Sequence, residues 1–162
     1  MAVLKLEVDE FDAIDYNLIA IHSSVEDYRM AFVLNQHLPI ILHKHKKPFS
    51  LAVKDKVVAF DYFQFEDQAT DVNWMLIPNK NEYVVRKKST GQNLFLDTQV
   101  EIATRVYLLP EFKKVDYFLK IEHQDHFNVR AQVLDKINGI PQISAVYLVD
   151  SAKIKSKNNL IF

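Results

Sequence analysis

Histidine is the residue type best suited to chemistry near neutral pH, and one closely spaced pair stands out in this chain. His43 and His45 are two residues apart, so both side chains lie on one face if this segment is a strand. Such a pair binds zinc or copper when a third ligand and orienting groups are present. Three lysines flank the pair and repel a cation: Lys44, Lys46 and Lys47. We therefore predict a solvated basic strand end, with no bound metal or other cofactor.

A second pair consists of His22 and His123, each predicted to end a strand just before a helix begins. Arg29 and Arg130 follow them by about two helical turns. If a pseudo-two-fold axis relates the two segments, these four side chains would form a symmetric pocket for an anion or another small ligand. The alternative, which we favour, is that each histidine braces its own strand–helix turn.

The remaining reactive residue types give little support to catalysis. Glu111 and Asp116 are close enough in sequence for general acid and base roles, but the two lysines between them favour a salt-bridged turn. No serine has the glycine-flanked sequence of a nucleophile elbow. The chain has no cysteine and only two glycines, which excludes thiolate chemistry and glycine-rich phosphate loops. We predict that the protein is not an enzyme and has no catalytic residues.

The lysine-rich run from His43 to Lys56 is a candidate nucleic-acid interface. It carries Phe49 among five lysines: Lys44, Lys46, Lys47, Lys54 and Lys56. Lysines contact RNA phosphates, and an interleaved aromatic ring stacks on a base. Two interpretations stay open: this basic hairpin, residues 43–56, binds RNA or the ribosome, or it is an ordinary solvated loop.

The last three residues, Leu160, Ile161 and Phe162, are large and apolar. Burying such side chains is worth about 1.5–3 kcal/mol each, so we expect them to be docked. They dock either on their own domain, which we favour, or on a partner.

Composition indicates one globular domain. The chain has 162 residues, 49% of them hydrophobic, and a formal net charge of −1, so no global field draws it to nucleic acid or membrane. No apolar run approaches the roughly 18–20 residues of a membrane span. The early charges of Lys5, Glu7, Asp9 and Glu10 do not fit a signal peptide. We expect a cytoplasmic protein that does not bind membranes.

Hydrophobic periodicity predicts the elements that position these residues. Strand–helix–strand patterns occur twice, as βαβ units at about 15–46 and about 115–149. Inserted strands occupy about 49–109, and an apolar-ended tail covers 153–162. Two βαβ units are what a ferredoxin-like split βαβ sheet requires. The predicted fold class is therefore α+β, a single domain with a mostly antiparallel sheet and two helices on one face.

An internal similarity supports the two-unit organisation. At a constant offset of 101, identical residues align at Asp15 and Asp116, Tyr16 and Tyr117, Leu18 and Leu119, His22 and His123, and Arg29 and Arg130. We interpret these identities as a structural repeat. The alternative is a chance similarity between two strand–helix segments.

Several details are specific enough to compare with a structure. Ser23 and Glu26 fit a capping box at the start of the first helix. One face of this helix is predicted to carry Tyr28, Ala31, Phe32 and Asn35, widened by Met30, Val33 and Leu34. Residues 57–65 are apolar enough for one central strand. The predicted core comprises Tyr16, Leu18, Phe32, Phe60, Val115, Tyr117, Leu119 and Val146.

One motif resembles a known family. Leu109-Pro110-Glu111, three spacer residues and Val115-Asp116-Tyr117 are similar to the signature of the bacterial IPExxxVDY family, with leucine in place of isoleucine. Both residues are branched and apolar, so the exchange is conservative, and the chain length also suits the family. The resemblance supplies no activity and no site residues.

No pattern in the chain fixes a reaction. We favour a non-enzymatic cytosolic interaction or regulatory domain that binds a protein partner or forms a homodimer through a sheet edge. One alternative is RNA or ribosome binding through the basic hairpin. Another is a small-molecule-sensing regulatory domain, which rests on an analogy of fold alone.

Overall fold

A computed structural model describes residues 16–88, 99–123 and 128–161. Its strands, in chain order, are β1 Tyr16–His22, β2 His43–Lys44, β3 Phe49–Val53, β4 Lys56–Phe60, β5 Phe63–Asp67, β6 Val72–Pro78, β7 Lys80–Lys88, β8 Gln99–Tyr107, β9 Tyr117–Glu122 and β10 Ala145–Leu148. Six of them form an antiparallel sheet in the spatial order β10-β1-β9-β6-β5-β2. The other four form two hairpins, in which β3 pairs with β4 and β7 pairs with β8.

Two helices cover one face of the six-stranded sheet. The first, α1, spans Asp27–His37. The second, α2, is a π-helical turn, Arg130–Leu134, that continues into an α-helical turn, Asp135–Ile137. The buried residues at this interface include Met30, Val33 and Leu34 of α1, Val133 and Ile137 of α2, and Ile19, Ile21, Trp74, Leu76, Leu119 and Ile121 of the sheet.

The opposite face of the sheet is covered by the two hairpins and the C-terminal segment. Successive residues of a strand point to opposite faces, so a second set of side chains forms this core. It includes Leu18, Ala20, Met75, Ile77 and Phe118 of the sheet, Val58 and Phe60 of β4, Val106 of β8, and Ile154 and Leu160 of the C-terminal segment. Burial on both faces explains why β1, β6 and β9 are almost continuously apolar.

The predicted α+β class is confirmed, with a mostly antiparallel sheet and two helices on one face. The elements β9, α2 and β10 form a split βαβ unit, because β1 lies between the two parallel strands. The elements β1, α1 and β2 form a wider unit that has three strands between its ends. The inserted strands β5 and β6 therefore join the main sheet, and β6 takes the position that a ferredoxin-like sheet gives to its second strand.

The start and the orientation of α1 differ from the prediction. The capping box is absent: the helix begins at Asp27, and the Ser23 hydroxyl donates to the carbonyl oxygen of Gln142, 2.6 Å away. Phe32 is 61% exposed, and Tyr28 is also on the outer side. The buried residues of the predicted face are its aliphatic members, which pack against the sheet: Met30, Ala31, Val33 and Leu34.

Residues 57–65 do not form one central strand. The chain leaves β4 at Phe60 and enters β5 at Phe63, and these strands belong to different sheets. Val57 is 72% exposed because it lies on the outer side of the β3–β4 hairpin. The basic hairpin 43–56 is divided in the same way, since β2 belongs to the main sheet and β3 does not.

The offset of 101 does not describe a structural repeat. A two-fold axis normal to a sheet keeps every residue on its own face, whereas Leu18 packs on the hairpin side and Leu119 on the helix side. In the antiparallel pair of β1 and β9, Leu119 lies opposite Ile19. The chain does contain two strand–helix units, but these identities do not relate them. Asp15 lies outside the described residues.

Most of the predicted core is buried. Leu18, Phe60, Val115, Tyr117 and Leu119 are inside the two clusters. Tyr16 and Val146 are partly buried at the margins of these clusters. Phe32 is the predicted core residue that is wrong, because α1 presents its aliphatic stripe to the sheet.

Candidate interaction surface

The predicted histidine–arginine pocket is not assembled. Because β1 and β9 are antiparallel, with Ile21 opposite Tyr117, His22 lies beside the start of β9 and His123 follows its end. The two histidines are therefore at opposite ends of the sheet, roughly 20 Å apart along the strands. The two arginines are exposed on different helices, Arg29 in α1 and Arg130 in α2.

Each of these histidines contacts neighbours at its own end of the sheet. The Nε2 atom of His22 lies 3.0 Å from the Tyr147 hydroxyl of β10, and the two rings are 5.5 Å apart. The Nε2 atom of His123 forms a hydrogen bond with the side-chain oxygen of Asn17. Both contacts are with a neighbouring strand, so they do not show either histidine bracing its own strand–helix turn.

The five lysines of the basic hairpin do not share one surface. Lys44, Lys46 and Lys47 lie near β2, whereas Lys54 and Lys56 lie across the length of β3, roughly 17 Å away. The Lys44 ammonium is 3.2 Å from the Asp61 carboxylate, and the Lys56 ammonium is 4.9 Å from the centroid of the Tyr83 ring. The Phe49 ring stacks on Phe60 at 5.4 Å, so it is engaged in packing rather than available to a base.

An open groove of about 500 Å³ lies beside β2, and its lining includes His43, His45, Gln64, Glu66 and Gln68. The Nδ1 atom of His45 is 2.9 Å from the carbonyl oxygen of Lys47. Within the described ranges, no three histidine, cysteine, aspartate or glutamate side chains cluster closely enough to hold a metal ion. Among the described residues, the groove therefore does not bring a third such side chain close enough to His43 and His45 to complete a metal site.

The turn between β8 and β9, which carries the family-like motif, surrounds a completely buried asparagine, Asn79. Its side-chain oxygen accepts from the amide of Leu109 at 3.0 Å. Its side-chain nitrogen donates to the carbonyl oxygens of Phe112 and Val115, at 2.8 and 2.9 Å. Its backbone N–H donates to the carbonyl oxygen of Asp116. The turn is thus organised around one polar side chain.

Asp116 and Tyr117 join this turn to the segment before α1. The Asp116 carboxylate accepts from the amide of Ser23 at 2.9 Å and lies 3.0 Å from the Lys80 ammonium. The Tyr117 hydroxyl donates to the carbonyl oxygen of Val25 at 2.6 Å. Burial raises the pKa of Tyr117 to about 12, and nearby carboxylates add to the effect. Both side chains therefore hold this turn against the segment before α1.

Glu111 holds the C-terminal segment against the domain. Its carboxylate accepts from the backbone amides of Lys155 and Ser156, both at 2.8 Å, and from the Ser156 hydroxyl at 3.0 Å. Burial opposes the charged form of Glu111, but the hydrogen bonds from Ser156 and its neighbours outweigh it, so the pKa is lowered. The carboxylate is consequently charged at neutral pH and acts as a clamp.

The C-terminal segment meets a buried lysine beyond this clamp. Leu160 is buried, and its carbonyl oxygen accepts from the Lys120 ammonium at 2.7 Å. The same ammonium lies 2.7 Å from the Glu122 carboxylate. Ile161 is 78% exposed, and Phe162 lies outside the described residues. The segment predicted to dock is thus anchored on its own domain through Leu160.

The β7–β8 hairpin, called the arm below (residues 80–88 and 99–107), is attached to the domain at its base. Among the described residues, two residues of the arm form hydrogen bonds or ion pairs with the rest of the chain. Lys80 forms an ion pair with Asp116, and Asn81 donates to the carbonyl oxygen of Ala59. Tyr83 lies under Lys56. The residues beyond this base are held by pairing between β7 and β8.

Side chains on both faces of the arm are open to solvent. One face is exposed throughout its middle, at Glu82, Val84, Arg86, Glu101, Ala103 and Arg105. Val84 on this face is 55% exposed, and Ile102 on the other is 41% exposed. A two-stranded ribbon alone is only marginally stable in water, so covering these aliphatic residues is favourable. Sequence reasoning did not identify this surface, because residues 80–88 and 99–107 become one feature only when they pair.

The chain matches no known family, curated protein or solved structure in the three comparisons. None of the described helices combines the length and the apolar character needed to cross a membrane.

Proposed function

We propose that this protein is a non-enzymatic protein-interaction domain of the cytoplasm, and that the arm is its contact surface. The observation that carries the proposal is the exposure of Val84 and Ile102 on a ribbon that is attached at its base. Covering apolar surface contributes about 25 cal/mol per Å². A partner on the arm therefore stabilises it and gives the exposed aliphatic residues a role.

The environment of three charged residues, Asp116, Glu111 and Lys120, supports a role without catalysis. Asp116 is occupied by Ser23 and Lys80, and Glu111 by the C-terminal segment. Lys120 is buried under Leu160. A general acid or base must reach a substrate within hydrogen-bond distance, and these groups face the protein instead.

RNA or ribosome binding through the basic hairpin is a second candidate, favoured by the exposure of Lys46 and Lys47. The separation of the lysines and the packed Phe49 ring give it less support. Changing Lys44, Lys46 and Lys47 to Glu tests it, because phosphate contacts make RNA binding fall steeply with salt. Salt-dependent binding that the triple variant loses would support this candidate.

We also propose membership of the bacterial IPExxxVDY family, on the basis of the motif. Its apolar positions, Leu109 and Val115, are buried, and Pro110 begins a one-turn 3₁₀ helix, Pro110–Phe112. Of its polar residues, Glu111 binds the C-terminal segment, and Asp116 and Tyr117 form hydrogen bonds with the segment before α1. Residues with these structural roles would give family members the same fold around the turn, and they do not indicate which ligand or partner is bound.

Site-specific photo-crosslinking in cells tests the interaction role. A photoreactive phenylalanine analogue replaces Ile102 of β8 in the full chain, and a matched control replaces Ala52, which is exposed on the outer side of the β3–β4 hairpin. We expect protein adducts at position 102 and few at position 52. Equal adducts at the two positions, or none at position 102, would refute the arm as the contact surface.

A further inference from the structure

The two strands of the arm carry the same charge pattern in the same chain direction. On β7 the exposed residues are Glu82, Val84 and Arg86, and on β8 they are Glu101, Ala103 and Arg105. Each strand therefore reads glutamate, aliphatic residue, arginine, with one residue between successive members. Because the side-chain period of a strand is two, all three members of each set lie on one face.

This pattern is self-complementary when two strands run antiparallel. Within the arm, Glu82 lies opposite Arg105 with 3.3 Å between carboxylate and guanidinium. At the other end Arg86 lies opposite Glu101 at 3.2 Å. Val84 and Ala103 face each other between the two ion pairs. The glutamate of each strand thus meets the arginine of the other, and cross-strand pairs of opposite charge stabilise a ribbon.

The outer edge of β8 is open to the same kind of pairing. Among the described residues, β8 is hydrogen-bonded to β7 and to no other strand, so its second edge presents backbone groups that a further strand can use. The outer edge of β7 is less accessible, because Asn81 bonds to Ala59 of β4 and Tyr83 lies under Lys56.

We propose that a second copy of this chain pairs antiparallel with the outer edge of β8, so that two arms form one four-stranded sheet. The inference rests on the proposed interaction role of the arm and names its partner. With Ala103 facing Ala103 of the second copy, Glu101 faces Arg105 of the second copy. The reciprocal pair forms at the other end, as two-fold symmetry requires.

Charge complementarity selects a second copy over an unrelated strand. Glu101 and Arg105 already pair with β7, and an antiparallel self-pair of β8 places each of them beside an opposite charge of the second copy as well. The net charge of −1 adds little repulsion between copies. These ion pairs are exposed, so the association is reversible, and it weakens as salt shortens the Debye length to about 10 Å at 0.1 M.

Two single variants test the pairing by sedimentation equilibrium of the full chain. In Arg105→Glu both charged positions of β8 are acidic, and in Glu101→Arg both are basic, so each variant opposes like charges across the proposed interface. We expect the dimer dissociation constant of each variant to rise at least about tenfold over wild type. An equimolar mixture should recover wild-type association, because each acidic strand then faces a basic one.

The matched controls are Glu82→Arg and Arg86→Glu on β7. They disrupt the same ion pairs within the arm but leave the outer edge of β8 unchanged, so they should dimerise like wild type; thermal melting confirms that all four variants fold. A wild-type chain that stays monomeric overturns the proposal, as does dimerisation that depends on the β7 charges or is not restored by mixing. Crosslinks from Ile102 to a different protein, with a monomeric chain, would refute self-pairing and leave the interaction role intact.

Discussion

The side-chain nitrogen of Asn79 donates to the carbonyl oxygen of Val115 over 2.9 Å, in a site where Asn79 has no exposed surface. This contact joins the end of β6 to the residue that precedes Asp116 in the family-like motif. The motif is therefore held by a residue outside it, and the first prediction concerns that residue.

Replacing Asn79 with Ala should lower the free energy of unfolding by at least about 2 kcal/mol. The change leaves the Leu109 amide and the Val115 carbonyl oxygen buried without their partner, and each such group costs about 1–3 kcal/mol. The Phe112 carbonyl oxygen keeps its bond from the Val115 amide. Urea denaturation measures the loss. Asn159→Ala is the control, because it removes one hydrogen bond, to Leu108; equal losses in the two variants would contradict the special role of Asn79.

Glu111→Gln should change the acid limb of stability. The pKa of Glu111 is lowered in the folded protein from 4.5, so its stabilising effect is complete above that pH and is lost as pH falls through the folded value. Wild type should exceed the variant in stability at pH 7, and the difference should shrink as the pH falls below 4.5. Urea titrations across this range check it, and a difference independent of pH would argue against a charged clamp.

Lys120→Met should cost about 3–5 kcal/mol, because it leaves a partly buried Glu122 carboxylate without its cation. It also removes the donor to the Leu160 carbonyl. The double variant Lys120→Met with Glu122→Gln removes the stranded charge and should regain part of the loss. Denaturant midpoints of the three proteins decide; a single variant as stable as wild type would show that the ammonium is dispensable.

Tyr117→Phe should flatten the alkaline limb of stability. The pKa of Tyr117 is about 12 in the folded protein and 10.0 in its unperturbed state, a rise caused first by burial. A raised pKa gives stability that is present below the unfolded value and is lost as pH rises through the folded one. Wild type should therefore lose more stability than the variant between pH 10 and pH 12. Identical limbs in thermal melts over this interval would count against a buried, protonated Tyr117.

Lys54→Gly should stabilise the β3–β4 hairpin by about 1 kcal/mol, because a side chain in the left-handed region costs that order of energy. Lys54 has a φ of 54° in the turn. Ala52→Gly, in the neighbouring strand, should have the opposite sign, since glycine weakens a strand interior. Melting temperatures of the two variants provide the measurement, and a lower value for Lys54→Gly would contradict the strain.

The parts of the fold that sequence predicted are those in which one physical effect dominates. The strands β1, β6 and β9 are buried on both faces, so their apolar runs have no competing interpretation. The inner face of α1 was harder to predict, because apolar residues occur on both sides of this helix. Whether Phe32 or Leu34 faces the sheet depends on how α1 packs in the cluster that it shares with the sheet, and sequence periodicity does not contain that packing.

The candidate surface was hidden for a similar reason. Glu82 and Arg105 are far apart in the chain, and their relation exists only through the register of β7 and β8. The histidine pocket failed because the antiparallel direction of β1 and β9 sends His22 and His123 to opposite ends. Identical residues in the sequence carried no information about that direction.

The order of strands in the main sheet has a consequence for biosynthesis. β1 pairs with β9 and β10, and both are made long after it on the ribosome. Until Tyr117–Glu122 leaves the exit tunnel, Tyr16–His22 has no native neighbour on either edge. Contacts between segments so distant in sequence slow folding, and an unpaired apolar strand is prone to aggregate. We expect the nascent chain to depend on chaperones until β9 emerges, with release of truncated chains ending before residue 117 as insoluble protein.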